Sequence, residues 1–110
     1  MALTYKNARA ELGVAYATVY ECPADTTALV LTAQAANVDG TVAAGVSAQW
    51  LDSSAADAAT RVVDALAVPI KVAVNLIAGP LVLEAGDAFQ AMASAAGDIE
   101  LTLAITEITA

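Results

Sequence analysis

Two pairs of carboxylates are the residues of this chain whose type and spacing could support chemistry. Glu84 and Asp87 flank an Ala-Gly dipeptide, and Asp98 and Glu100 are separated by one residue. Paired carboxylates act as general acid and general base in hydrolases. Asp87 and Asp98, however, each follow a glycine, where an aspartate commonly hydrogen-bonds to nearby backbone and closes a turn. We therefore expect structural roles for these carboxylates.

The other reactive side chains indicate no catalytic centre. The chain has no histidine and a single cysteine, which excludes most nucleophile–base pairs. Cys22 has Glu21 and Asp25 nearby in sequence, and negative charge disfavours the thiolate, so we expect a poor nucleophile. Oxygen ligands are too sparse for a calcium loop, and zinc-ligand spacing is missing. We predict a protein that is not an enzyme, with no catalytic residues, no metal and no cofactor.

Composition and charge restrict the class of partner. The chain is 59% hydrophobic but only 5% aromatic, and its net charge is −8. The four basic residues are scattered and cannot form a phosphate-binding track, so we expect no nucleic acid and no anionic membrane surface as partner. The uncharged runs are shorter than the ~20 residues of a membrane span. Small side chains bury little area each, so we expect neighbouring copies to add stability.

Alternation of apolar and polar residues predicts β-strands along most of the chain. The clearest strand runs from residue 99 to residue 106, and its apolar face consists of Ile99, Leu101, Leu103 and Ile105. The alternation breaks at Glu107, which predicts a bulge or the end of the strand. Further runs cover residues 13–21, 26–36 and 46–51. Trp50 has the apolar parity of the last run, which predicts core packing.

Turn-forming residues separate these runs at intervals of about ten to fifteen residues, which is typical of β-sandwiches and barrels. In the connection Glu84–Asp87, Gly86 supplies a permissive φ and Asp87 closes the turn. A helix over residues 53–68, favoured by alanine, is the alternative for that segment. We predict an all-β, single-domain antiparallel β-sandwich (jelly-roll-like) of about eight short strands over residues 10–110, preceded by an N-terminal arm over residues 1–9.

The predicted arm holds the candidate partner-contacting residues, Tyr5, Lys6 and Arg9. Lys6 and Arg9 are two of the four basic residues of the chain. Such an arm either reaches an acidic partner or is frayed. Both interpretations remain open from the sequence.

Several segments together resemble small virion proteins of tailed bacteriophages. They are TYKNA, VYECPADTTALVLTAQAANVDG, VSAQWLDSS and GPLVLEAGDAFQAMASAAGDIELTLAITEI. The resemblance covers residues 3–108 and lies in the layout and the turn phrases, with no catalytic motif. It implies a compact β-sandwich that binds the assembled shell as a capsid decoration (cement) protein. A tail or neck component of the virion is the first alternative.

The resemblance also implies partners and location. The expected partners are the major capsid protein or other virion proteins, and a homo-oligomer, with a trimer favoured. The expected location is the virion, after synthesis in the host cytoplasm. A ligand- or carbohydrate-binding β-sandwich is the alternative from a different class, and it requires an exposed aromatic platform or a calcium site.

Overall fold

Antiparallel strands account for most of the chain in the computed structural model, which describes residues 1–39 and 41–109. Within those residues the strands are β1 (Ala2–Glu11), β2 (Ala17–Glu21), β3 (Thr26–Asn37), β4 (Ala44–Asp52), β5 (Ala58–Val68), β6 (Ala73–Asn75), β7 (Leu81–Leu83), β8 (Ala88–Ala93) and β9 (Ile99–Thr109). A 3-10 turn, Ser53–Ala55, joins β4 to β5. The last residue of the predicted domain, Ala110, lies outside the described residues.

The strands form two sheets that pack as a jelly roll. Sheet A has the order β1-β9-β3-β6, with β7 also pairing with β3, and sheet B has the order β2-β8-β4-β5. The antiparallel pairs β1–β9, β2–β8, β3–β6 and β4–β5 are nested, so the chain is one long hairpin folded over between the two sheets. The all-β sandwich prediction is confirmed, although five of the nine strands in the described ranges are long, with nine to twelve residues.

The core lies between the sheets and follows the predicted alternation. The apolar face of β9 is almost fully buried, and Phe89 of β8 and Leu83 of β7 have no exposed surface. Several core positions are alanines, whose small side chains let the backbones of the two sheets approach each other closely. The segment 53–68 is extended from Ala58 onward rather than helical, because β5 pairs with β4 along its whole length.

The expected interruption at Glu107 is wrong. The register of β9 against β1 is unbroken to Thr109, and the irregularity lies in β3, between Val30 and Thr32. Glu107 keeps the parity of the core-facing residues of β9. A carboxylate is tolerated there because it lies at the end of the core, where polar side chains from both sheets reach it.

The N-terminal segment is a strand of sheet A, not a separate arm. Residues 2–11 pair with β9 from Ala2–Thr109 to Glu11–Glu100. Most side chains of β1 are exposed, since it is an edge strand, and its inward positions are filled partly by alanine. This small contribution to the core hid the strand from a search for apolar alternation. Among the described residues no helix is long and apolar enough to cross a membrane.

Candidate functional site

The three predicted contact residues all lie on β1, but they do not form one site. Alternation along the strand places Tyr5 and Arg9 on the outer face of sheet A and Lys6 on its inner side. Tyr5 is 73% exposed. Arg9 lies about 13 Å further along the strand, beside a shallow depression that Glu11 and Glu100 also line. The structure therefore separates the three residues into different environments.

Lys6 belongs to a polar cluster with Tyr20 and Glu107 at the end of the core. Oε2 of Glu107 accepts a hydrogen bond from Oη of Tyr20 at 2.5 Å and one from Nζ of Lys6 at 3.1 Å. The Lys6 ammonium also lies 5.9 Å from the centroid of the Tyr20 ring, within cation–π range. Tyr20 comes from sheet B, whereas Lys6 and Glu107 come from sheet A, so the cluster joins the two sheets.

The surroundings fix the protonation states of this cluster. Burial, and then the hydrogen bond to Glu107, raises the pKa of the Tyr20 phenol. The hydrogen bond from Tyr20, assisted by Lys6, lowers the pKa of the Glu107 carboxyl against the opposing effect of burial. The phenol stays a donor and the carboxylate stays an acceptor at neutral pH. A pair held in this way is a structural link rather than a general acid and base, whose pKa values lie near the working pH.

The turn Glu84–Asp87 has the structural role that its sequence predicts. Gly86 has a φ of 87°, and the Asp87 amide donates to the Glu84 carbonyl at 2.9 Å. The Asp87 side chain is buried, with 1% of the residue exposed. Its carboxylate accepts from the Glu84 amide at 3.0 Å, and from the amide and hydroxyl of Ser53 at 2.9 and 3.0 Å. Asp87 thus ties this turn to the 3-10 turn between β4 and β5.

Cys22 is enclosed in the core rather than presented to a substrate. Only 2% of the residue is exposed, and its thiol donates to the carbonyl of Thr26 at 3.3 Å. Burial raises the pKa of the Cys22 thiol, which disfavours the reactive thiolate. In residues 1–39 and 41–109 no group of three or more histidine, cysteine or acidic side chains is placed to hold a metal ion.

One half of the outer face of sheet A is apolar. The register aligns Tyr5, Thr106, Leu29 and Val82 in one row across four strands. A neighbouring row begins with Leu3. The exposed fractions are 50% for Leu3, 52% for Val82 and 39% for Leu31, which lies at the irregularity of β3. We call this surface the apolar patch, and it consists of Leu3, Tyr5, Leu29, Leu31, Val82 and Ile108.

The rows that carry the apolar patch contain no charged residue on β1, β9 or β3, whereas Lys6 lines the groove beside Tyr5 and Glu84 lies next to Ile108 at one end. From Leu3 to Asn7, the outward positions of the paired strands are apolar, threonine or asparagine. Four strands spaced ~4.8 Å apart span about 14 Å, and three rows along the strand span about 13 Å. A shallow groove of about 260 Å³, lined by Tyr5, Leu31 and Ala104 among others, crosses the patch. The apolar patch contrasts with the net charge of −8 of the whole chain.

The outer face of sheet B is polar by contrast. Gln49 donates to Gln90 at 2.8 Å, and Gln90 donates to Thr18 at 3.2 Å, which forms a ladder across three strands. The Arg61 guanidinium lies 5.3 Å from the centroid of the Tyr16 ring. The outer face of sheet B therefore carries a polar network that the apolar patch of sheet A lacks.

Trp50 lies on the inner side of β4 and packs, partly buried, against the core. Its parity in the sequence predicts this position correctly. A carbohydrate-binding platform needs an aromatic ring with an exposed face. Trp50 does not provide one.

Tyr5 is the one residue of the apolar patch among the predicted contact residues, whereas Leu31 and Val82 were not predicted. The missed residues lie on strands that are distant in sequence from β1, and only the register brings them into one surface. A local signal exists in Thr27–Ala33, where apolar residues occupy both parities of the strand. Such a run indicates a strand that is covered on both faces. For β3 the inner face contacts the core, and Leu31 on the outer side is 39% exposed.

Comparisons of the chain with protein-family models, with curated proteins and with solved structures give no match.

Proposed function

We propose that this protein is a non-enzymatic structural protein of a phage virion, and that it acts as a capsid decoration protein. In this proposal it binds the assembled shell and stabilises it by bridging neighbouring copies of the major capsid protein. The resemblance of its segments to small virion proteins supports the class of protein. The jelly-roll architecture is compatible with it, since viral capsid proteins and lectins both use this fold.

The apolar patch is the observation that carries the proposal. Its positions on β1, β9 and β3 are uncharged although the chain has a net charge of −8, and Tyr5, Leu3 and Val82 are each at least half exposed. Interfaces that bind protein are depleted of charged residues at their centre and enriched in aromatic residues such as tyrosine. The footprint is smaller than the ~800 Å² per partner of a stable interface. It therefore suits the centre of a contact that the surrounding polar rows complete.

The mechanism of stabilisation is linkage. A protein that binds only the assembled lattice lowers the free energy of that lattice by an amount that grows with its concentration over its Kd. Repetition of the contact over a symmetric shell multiplies this effect. No bond is made or broken, and no titrating group or metal takes part in the proposed function.

A pair of valine substitutions tests the proposal. Val82→Glu places a carboxylate inside the apolar patch, and Val14→Glu places one on the exposed loop between β1 and β2. Burying an unpaired charge at the centre of an interface costs about 2 kcal/mol or more, which corresponds to a loss of affinity of about 30-fold. Sedimentation of the purified protein with intact shells of its phage measures that affinity.

We expect Val82→Glu to remain in the supernatant at concentrations where the wild type and Val14→Glu sediment with the shells. Equal binding by the two variants would reject the apolar patch as the contact surface. Binding of the wild type to isolated tails or necks, and not to shells, would select the tail or neck alternative.

A further inference from the structure

β1 is a long and regular sheet edge whose protection is limited to charged side chains, those of Lys6, Arg9 and Glu11. In the described residues it pairs with β9 alone, over ten residues and with no bulge or proline. The other edges are blunted: β6 and β7 have three residues each, β2 has five and a register shift, and β5 has two register shifts and a positive φ at Ala65. Natural proteins shorten, bulge, twist or charge edge strands to prevent pairing with another chain. On β1 only charge opposes such pairing, and a register that places no like charges opposite each other removes that obstacle.

The free hydrogen-bonding groups of this edge can be assigned. The Leu12 amide, which follows β1 in the same register, donates to the carbonyl of Ile99. Backbone groups of successive residues point alternately to the two sides of an antiparallel strand. The even-numbered residues of β1 therefore bond to β9. The amides and carbonyls of the odd-numbered residues face the open edge, and these residues are Leu3, Tyr5, Asn7, Arg9 and Glu11.

We propose that β1 pairs antiparallel with β1 of a second copy of this chain, about a twofold axis that passes through Asn7. In this register Asn7 faces Asn7 of the second copy, Tyr5 faces Arg9 of the second copy, and Leu3 faces Glu11 of the second copy. All five odd-numbered residues then exchange backbone hydrogen bonds. The inference does not depend on the virion function.

Side-chain complementarity selects the second copy as occupant and selects this register. The pairing places each Tyr5 ring beside an Arg9 guanidinium, a favourable cation–π neighbour, in two equivalent positions. A register shifted so that Lys6 faces its own copy sets two like charges opposite each other, which is destabilising. A register centred on Tyr5 leaves Glu11 unpaired. The axis at Asn7 thus gives the longest pairing without opposed like charges.

The twofold arrangement has a consequence for binding. Because the axis is perpendicular to the sheet, the outer faces of the two copies become one continuous face, and both apolar patches point to the same side. A pair of linked contacts binds a repetitive surface more tightly than a single contact does. The dimer is therefore a bivalent form of the docking surface.

Cysteine cross-linking tests the register directly. In Asn7→Cys the two introduced residues face each other with Cα atoms about 5.5 Å apart, inside the 4.4–6.8 Å range of disulfides. Leu3→Cys is the matched control, since it has the same parity and the same open edge, but its two copies lie about 26 Å apart. Cys22 is buried and does not compete. We expect mild oxidation to cross-link Asn7→Cys completely and Leu3→Cys not at all.

Solution mass tests the dimer and its strand edge. We expect light scattering to give twice the chain mass of 11.0 kDa for the wild type. We expect the same mass for Asn7→Ala, which keeps the backbone N–H group of residue 7. Asn7→Pro removes an amide that faces the open edge and no bond to β9, so the monomer keeps its fold. Proline should raise the dimer Kd at least about tenfold, with an unchanged circular dichroism spectrum.

Three results would overturn this inference. They are a wild type of one chain mass, a wild type of three chain masses, and cross-linking of Leu3→Cys in preference to Asn7→Cys. A protein that is monomeric yet binds shells would reject the dimer and leave the proposed function standing. A dimer with the expected cross-link that binds no virion component would reject the proposed function alone.

Discussion

Asp87 is the residue whose substitution tests the account of the Glu84–Asp87 turn most sharply. Its carboxylate is buried, and every group that it contacts by hydrogen bonding is a donor from the turn or from Ser53. Asp87→Ala removes three hydrogen bonds at once. It also weakens the link between the β7–β8 turn and the β4–β5 turn, which keeps the hydrogen bond from the Ser53 hydroxyl to the Ala85 carbonyl at 3.0 Å.

The magnitude follows from those three bonds. A hydrogen bond to a charged group contributes about 1.5–3 kcal/mol. Ser53 and Glu84 are themselves solvent-exposed residues, so water replaces part of what the carboxylate supplied. We therefore expect Asp87→Ala to lower the free energy of unfolding by about 3 kcal/mol rather than by the sum of three bonds. In a domain of this size that lowers Tm by roughly 12–24 °C.

Asp87→Asn distinguishes the loss of hydrogen bonds from the loss of side-chain volume. The amide has the size of the carboxylate, but its NH₂ group must face a donor on one side. One bond is lost and one unfavourable contact is formed, so we expect about half of the effect of Asp87→Ala. Urea unfolding followed by Trp50 fluorescence and by circular dichroism gives the free energies for both variants.

The second Ala-Gly-Asp sequence of the chain supplies the control. Asp98 also follows a glycine, but its side chain makes no hydrogen bond within the described residues, and we expect Asp98→Ala to change the stability by less than about 0.5 kcal/mol. Equal stability losses in Asp87→Ala and Asp98→Ala would refute the reasoning. A loss in Asp87→Asn as large as that in Asp87→Ala would contradict the partition between the three bonds.

Two further predictions concern the turns and the cluster between the sheets. Gly86→Ala should cost at least about 1 kcal/mol more stability than Gly97→Ala in urea unfolding. Both glycines have positive φ, but an added Cβ at Gly86 would lie 2.9 Å from Oγ of Ser53, whereas at Gly97 it meets only the flexible end of a glutamate at 3.4 Å. The lowered pKa of Glu107 means that its contribution to stability is present above its ordinary value of 4.5 and is lost as the pH falls through the folded-state pKa. Tyr20→Phe removes the hydrogen bond that is the main cause of the lowered Glu107 pKa, so this variant should lose less stability than the wild type on acidification below pH 4.5. An identical dependence of stability on pH in the two proteins would contradict this role of Tyr20.

The sequence predicted the elements whose two faces differ. β9, β4 and β3 alternate clearly because one side of each contacts the core, and the alternation identifies them without any knowledge of their partners. The two-sheet, all-β sandwich agrees with the prediction, and the order of the strands was not predicted. The end of the β9 pattern was predicted wrongly because Glu107 occupies a core-facing position, and its partners Lys6 and Tyr20 come from strands of two different sheets.

β1 and the apolar patch could not be predicted from local sequence. β1 is held by backbone bonds to a strand that lies about ninety residues away in the chain, and backbone bonds leave no signature in side-chain composition. Tyr5 was predicted as a contact residue from its type and from its place beside Lys6 and Arg9 in the N-terminal segment. Val82 joins it only through the pairing of four strands, so the surface is a property of the register and not of any one segment.

The composition of purified virions tests the central claim most directly. Quantitative mass spectrometry of intact phage particles measures the number of copies of this chain relative to the major capsid protein. For a capsid decoration protein we expect a fixed ratio that matches symmetry positions of the shell, and retention of the chain when tails are removed. Absence of the chain from purified particles would contradict the proposed function.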